Sequence, residues 1–217
     1  MLLYWHVFRF RFLRFLAYPF EIAASIIKRG VEVGILIFLW SLILKNVQGG
    51  QAVREITSYF LIAVGVGEIV MARWGPLGST LANSIRDGTL SNYLIKPVSV
   101  VPMLYFTGLG TNGLRAIIAL FSVILGILIN PPHTLIAVLL FFMFLTTSFA
   151  VAFAYNLFIG TMYFHIGEAS GVKNSIEHMS RILSGAFVPL TYFPKNILPI
   201  VKILPFQVMI YGPTNAI

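Results

Sequence analysis

Cysteine is absent from the 217 residues, which excludes disulfides, thiolate metal sites and a cysteine nucleophile. Acid is scarce: Asp87 is the single aspartate among seven acidic residues. Metal-dependent phosphotransfer draws on several carboxylates around the ion. No G-x-x-x-x-G-K-[ST] stretch occurs, so the chain offers no P-loop of its own. His6, His133, His165 and His178 are scattered and resemble no zinc site. Ser170 sits in Gly-Glu-Ala-Ser-Gly, not in the G-x-S-x-G of a nucleophile elbow. The expectation is a chain with no catalytic residue, no metal and no cofactor. Charge of either sign is also sparse, at 10% of residues, where soluble domains carry roughly 25%. The excess of eight positive charges is no nucleic-acid signature by itself, because in a membrane protein the position of the charge matters more than its sum.

What the chain has instead is apolar length: 58% of it is hydrophobic. Residues 134–164 contain no charged side chain, and about 20 apolar helical residues suffice to cross a bilayer core. The reading is an all-α, polytopic integral membrane helix bundle, a single domain over 1–217. Five spans are expected, at about 28–45, 56–72, 110–129, most of 134–164, and 174–191. The last is the least apolar, with Glu177, His178 and Arg181. Residues 98–109 are too short to cross alone, contain Pro102, and read as an interfacial lead-in to the third span.

Residues 1–20 place Trp5, Phe8, Phe12 and Phe15 at three- and four-residue spacing, with Arg9, Arg11 and Arg14 elsewhere and a break at Pro19. That pattern predicts a basic amphipathic helix lying in the membrane interface. The arginines interrupt it too often for a signal peptide. Residues 192–217 are apolar but broken by Pro194, Pro199, Pro205 and Pro213. Such a tail predicts short helices dipping into the membrane from outside, which requires packing on protein or water. With the N-terminus in the cytoplasm, Arg9, Arg11, Arg14, Lys28, Arg29, Arg73, Arg86, Lys96, Arg115, Lys173 and Arg181 fall at the inner side. Lys45, Arg54, Lys195 and Lys202 fall outside, in accord with the positive-inside rule.

Residues 73–97 then form the largest cytoplasmic segment. Ser79 or Thr80 can cap a short helix and Gly88 can end it. Leu90, Tyr93 and Leu94 follow at helical spacing, suited to a soluble partner. Glu68 lies inside the second span, where a carboxylate costs roughly 2.5–3.5 kcal/mol to insert. It reads either as a polar group on a translocation path or subunit seam, or as one half of an ion pair with Arg73 or another inner-end cation, or as a protonated acid. Gly65 and Gly67 beside it allow close helix approach. Glu177 and Arg181, four apart, can pair. Trp40, Tyr59 and Trp74 fit an interfacial belt.

Ile85-Arg86-Asp87-Gly88-Thr89-Leu90, then Tyr93-Leu94 and Lys96-Pro97-Val98-Ser99, resembles the I-x-x-G-x-L…L-x-x-P-V-S segment of type-2 ATP-binding-cassette (ABC) exporter permeases. Ser184-Gly185-Ala186-Phe187-Val188-Pro189-Leu190, Phe193-Pro194 and Leu204-Pro205-Phe206 resemble that family's motif after the fifth span. The resemblance implies a permease working in the cell membrane as a homo- or heterodimer, each copy docked on a separate ATPase subunit. It implies that 77–95 is the coupling segment, with Arg86, Asp87, Gly88, Leu90, Tyr93 and Leu94 in it. It also implies that 194–211, with Pro189, Pro194 and Pro205 around it, is a re-entrant external piece or gate. The family has six spans and this sequence ends at Ile217, so the expectation is a permease without its sixth helix. Membrane lipid and the ATPase are the expected partners; nucleic acid is not. The rival readings are a non-transporting membrane scaffold and, with fewer residues to support it, a lipid-acting enzyme.

Overall fold

The computed structural model describes residues 2–45, 49–95, 99–166 and 170–217. Every regular element among them is helical: α1 (Leu2–Leu16), α2 (Pro19–Lys45), α3 (Gly49–Arg86), α4 (Leu90–Leu94), α5 (Val100–Ile129), α6 (Leu135–Ile166) and α7 (Ser170–Leu183). A 3-10 turn (Leu190–Tyr192) and three short helices complete the chain: α8 (Leu198–Ile203), α9 (Phe206–Met209) and α10 (Tyr211–Ala216).

The centre is an antiparallel seam between α3 and α5. Two glycines let the backbones meet. A Cβ added at Gly65 would stand 2.5 Å from Val123 Cγ2 and 2.7 Å from the Ala119 carbonyl; one at Gly126 would stand 2.6 Å from Ile62 Cγ1. Hydroxyls stitch the same line, Ser58 donating to Gly126 O and Ser122 to Leu61 O, both at 2.8 Å. Arg54 donates to Ile129 O at 2.7 Å, a cation satisfying a carbonyl at the end of α5. On its other side α3 meets α2, where Val33, Leu36, Trp40 and Leu44 recur at helical spacing against Ile56, Phe60 and Val64. This is the apolar stripe that an amphipathic helix buries.

α1 lies along the first half of α5. Gly110 is pressed against the backbone at Phe8, Gly113 against the Phe12 ring, and Tyr4 stacks on Phe106 at 5.7 Å. Pro19 opens α2 at its first position, where its missing N–H costs nothing. The proline-broken tail packs on protein as expected. Val201, Met209 and Ile210 are buried, and Ser148 of α6 donates to Val208 O at 2.6 Å.

Among the described residues, α5 and α6 are both long and apolar enough to cross a membrane. α6 leaves Leu135, Ile136, Leu139, Phe142 and Phe158 more than half exposed, and α2 does the same with Ile27, Val31, Ile35 and Phe38. Apolar faces this continuous mark contact with lipid or partner.

Four expectations are corrected. Residues 100–109 are no separate lead-in: they are the opening turns of α5, a single 30-residue helix, and Pro102 is tolerated because it falls in the first turn. No helix is capped at Ser79 or Thr80, because α3 continues through Gly75 and Pro76 to Arg86 as one 38-residue helix. The stretch 174–191 is not one rod. α7 has 14 residues, about 21 Å of rise, and ends in a left-handed glycine cap. There Gly185 has φ +87°, its N–H reaches Ile182 O, and the Ala186 N–H reaches Arg181 O, the paired bonds of a Schellman motif. Finally, Trp40 and Tyr59 form no outward belt, for reasons given below.

Candidate functional site

The far end of α3 is shaped by Gly88. Asp87 N–H donates to Asn83 O at 2.8 Å and Gly88 N–H to Ile85 O at 3.2 Å, after which Gly88 turns the chain at φ +69°. A left-handed residue here is the usual reason for glycine past a helix end. Ser91 Oγ donates back to Gly88 O at 2.9 Å, and α4 begins immediately. Arg86 and Asp87 form a 3.3 Å pair with about half of each side chain exposed, a geometry worth little to stability. Leu90 is half-buried, whereas Leu94 and Ile95 are 67% and 81% exposed. Arg86, Asp87, Gly88, Leu90 and Leu94 are thus gathered at one end of the molecule. The side chain of Tyr93 and residues 96–98 lie outside the described set.

Further along α3, Glu68 meets α2. Arg29 donates to Glu32 at 2.6 Å and to Glu68, each side chain about a quarter exposed. The cation sought for Glu68 is therefore Arg29; the side chain of Arg73 lies outside the described residues. One guanidinium holding two carboxylates fastens the two helices across 39 residues of sequence. Its fork geometry suits that double role better than a lysine would. The cluster borders a partly open cavity of about 50 Å³, also lined by Ser180, Arg181 and Ser184. That is room for a few water molecules and not for an organic solute. The partner expected for Arg181, Glu177, has a side chain outside the described set.

Trp40 and Tyr59 point into the protein. Trp40 is buried, its Nε1 donates to Phe187 O at 3.2 Å, and its ring lies 4.7 Å from that of Tyr192. Tyr59 donates to Gly185 O at 2.7 Å. Both hold the loop after α7, whose carbonyls have no helical partner. In the same loop Pro189 is buried and leads into the 3-10 turn. Pro194 and Pro205 are exposed, Pro205 opening α9. Pro189 is thus part of the wall, whereas the other two stand at the surface.

One feature had no signal in the sequence. An open cavity of about 320 Å³ gathers Glu55, Tyr59, Asn130, Tyr192, Tyr211 and Asn215. They come from four separate stretches of chain, so no local spacing announces them. Among the described residues, no group of three or more His, Asp or Glu side chains is placed to hold a metal ion.

Residues 31–217 match the family model described as ABC-2 family transporter protein. No curated protein and no solved structure matches the chain.

Proposed function

The chain belongs to the ABC-2 transporter family and is a membrane permease component of an ABC transporter; we propose that it couples a separate ATPase subunit to export through α3. The observation that carries this reading is the continuity of that helix. Its 38 residues rise about 57 Å, well beyond the roughly 30 Å of hydrocarbon. The buried part is gripped on both sides by α2 and α5. Past the Arg86 end of α3, Leu94 of α4 and Ile95 after it are exposed. Nucleotide-driven approach of two ATPase subunits would push on that end. A continuous helix transmits the push to the core as one body, and the Arg29 cluster carries it to α2. Coupling requires such an element, one that both sites can bias.

In this reading α2, α3, α5 and α6 span, α7 rises from the inner side, and the tail after it forms the outer-half plug. The N-terminus and residues 86–95 face the cytoplasm. The second permease copy lies against the open face of α2, where Gly30 and Gly34 have nothing within 4 Å and are spaced for close helix approach. The chain binds no nucleotide and runs no chemistry of its own.

Co-purification with the ATPase subunit tests the reading. Arg86→Glu combined with Leu90→Asp is expected to abolish both the complex and stimulation of ATP hydrolysis, while Arg9→Glu leaves both intact. Unchanged complex and unchanged stimulation in the double variant contradict the proposal.

A further inference from the structure

α1 and the start of α2 enclose a second kind of site. An open pocket of about 410 Å³ lies between α1, α2 and α5, lined by Arg11, Arg14, Tyr18, Glu21 and Thr111. Its volume is in the range of small-ligand sites. The ion pairs among the described residues use Arg29 and Arg86. Neither Arg11 nor Arg14 has a hydrogen bond or ion pair there, although Glu21 lines the same pocket. Two free guanidiniums on one wall are a strong demand for an anion.

The wall is also held in place. A Cβ at Gly110 would stand 2.6 Å from both Arg11 Cβ and Phe8 O, so the stem of Arg11 is pinned against α5 and its head is left at the rim. On the same stretch of chain Phe10, Leu13, Leu16 and Phe20 are exposed, Phe20 at 88%. A free anion would use only the arginines. A ligand carrying hydrocarbon beside its anion would cover these apolar side chains as well.

We propose that this pocket binds a phospholipid headgroup. Its phosphate lies between Arg11 and Arg14, and its terminal donor, an ammonium or hydroxyl, faces Glu21 and Tyr18. The acyl chains run over Phe10, Leu13 and Phe20. Basic pockets at the cytoplasmic face of membrane helices bind lipid headgroups on the same electrostatic grounds. Four of the five lining residues lie before residue 31, where the family match begins. The inference rests on membrane location and on the inner-side placement of the N-terminus proposed above, and is independent of the ATPase contact.

The test uses the whole chain in detergent, stripped of lipid and then offered phosphatidylethanolamine, phosphatidylglycerol or phosphatidylcholine, with retained lipid counted by native mass spectrometry. The first two are expected to stay bound, and phosphatidylcholine, which lacks a terminal donor, to be retained several-fold less. Arg11→Gln with Arg14→Gln is expected to lower retention at least tenfold, Arg11→Lys with Arg14→Lys to restore part of it, and Arg9→Gln, outside the pocket, to change nothing. Glu21→Gln is expected to erase the preference over phosphatidylcholine while lipid still binds. Equal retention in the Arg11/Arg14 double glutamine variant overturns the proposal. So does an equal loss in Arg9→Gln, which would mean diffuse surface attraction. Displacement of lipid by an equal concentration of glycerol phosphate overturns it too, marking a site for the free anion. The ATPase complex is measured on the same samples. Lipid lost with the complex kept supports this site, and the complex lost with lipid kept bears only on the coupling reading.

Discussion

Between Ile56 and Val70, α3 is walled in: Phe60, Ala63, Val66 and Val70 show no exposed surface. About 24 Å further along the same helix, Arg86 and Asp87 are 52% and 53% exposed, and Leu94 and Ile95 beyond them more so. One end is fixed by backbone contact, hydroxyl stitches and an ion cluster; at the other, Ser84 is still buried while Arg86, Asp87, Leu94 and Ile95 are exposed. The difference teaches how a single element serves two purposes. In the proposed coupling, the gripped half resists deformation, so that a load applied to the exposed end would reach the core. Substitutions should therefore cost stability in the first region and leave it almost untouched in the second.

The largest effect is expected at Arg29. Arg29→Met leaves Glu32 and Glu68 without the guanidinium that joins them. Breaking a buried pair costs 3–5 kcal/mol, and partial exposure reduces this to about 2–3 kcal/mol. Thermal unfolding in detergent should show it, and adding Glu32→Gln and Glu68→Gln should recover most of the loss. Next comes Gly65→Ala, whose methyl meets Val123 and the Ala119 carbonyl. Overpacking of this kind costs about 2 kcal/mol, read from the same unfolding curve.

A matched pair of glycines then compares the two regions directly. Both Gly185 and Gly88 adopt positive φ, but a Cβ at Gly185 meets Tyr59 and Leu190 within 3.0 Å while one at Gly88 meets nothing. Gly88→Ala should cost only the left-handed penalty, about 1 kcal/mol. Gly185→Ala should cost more, about 2 kcal/mol, through the added clash. Equal costs would break the comparison. Smallest of all, Leu94→Asp should shift stability by less than about 0.5 kcal/mol, since that side chain is 67% exposed, even though it lies in the proposed ATPase contact.

Much of this architecture was legible in the sequence where the signal is local. The uncharged run at 134–164 became α6, the prolines after 190 broke the tail into short helices, and Gly88 ended a helix. Gly65 marked a close approach because small residues in apolar helices do so. What was missed depends on distance or on context. Gly75 and Pro76 carry the marks of a helix break, yet α3 runs through them, since propensity yields to tertiary context. Gly185 is one small residue among others until its φ is known, so α7 seemed longer than it is. Trp40 and Tyr59 match the composition of an interfacial belt, but carbonyls 147 and 126 residues away claim them. The Glu68 ion pair was foreseen as a possibility, whereas the choice of Arg29 needed the packing of α2 on α3. The motif residues 85–94 were found together by resemblance, and their exposure at a helix end could not be read from spacing.

The absence of cysteine from the chain makes the central claim directly measurable. Leu94→Cys supplies a single exposed thiol on α4, just past the Arg86 end of α3. A membrane-impermeant maleimide should label it in inside-out vesicles, fail to label it in intact cells, and be blocked when the ATPase subunit is bound. Labelling in intact cells, or labelling in vesicles that the ATPase subunit does not reduce, would contradict the account.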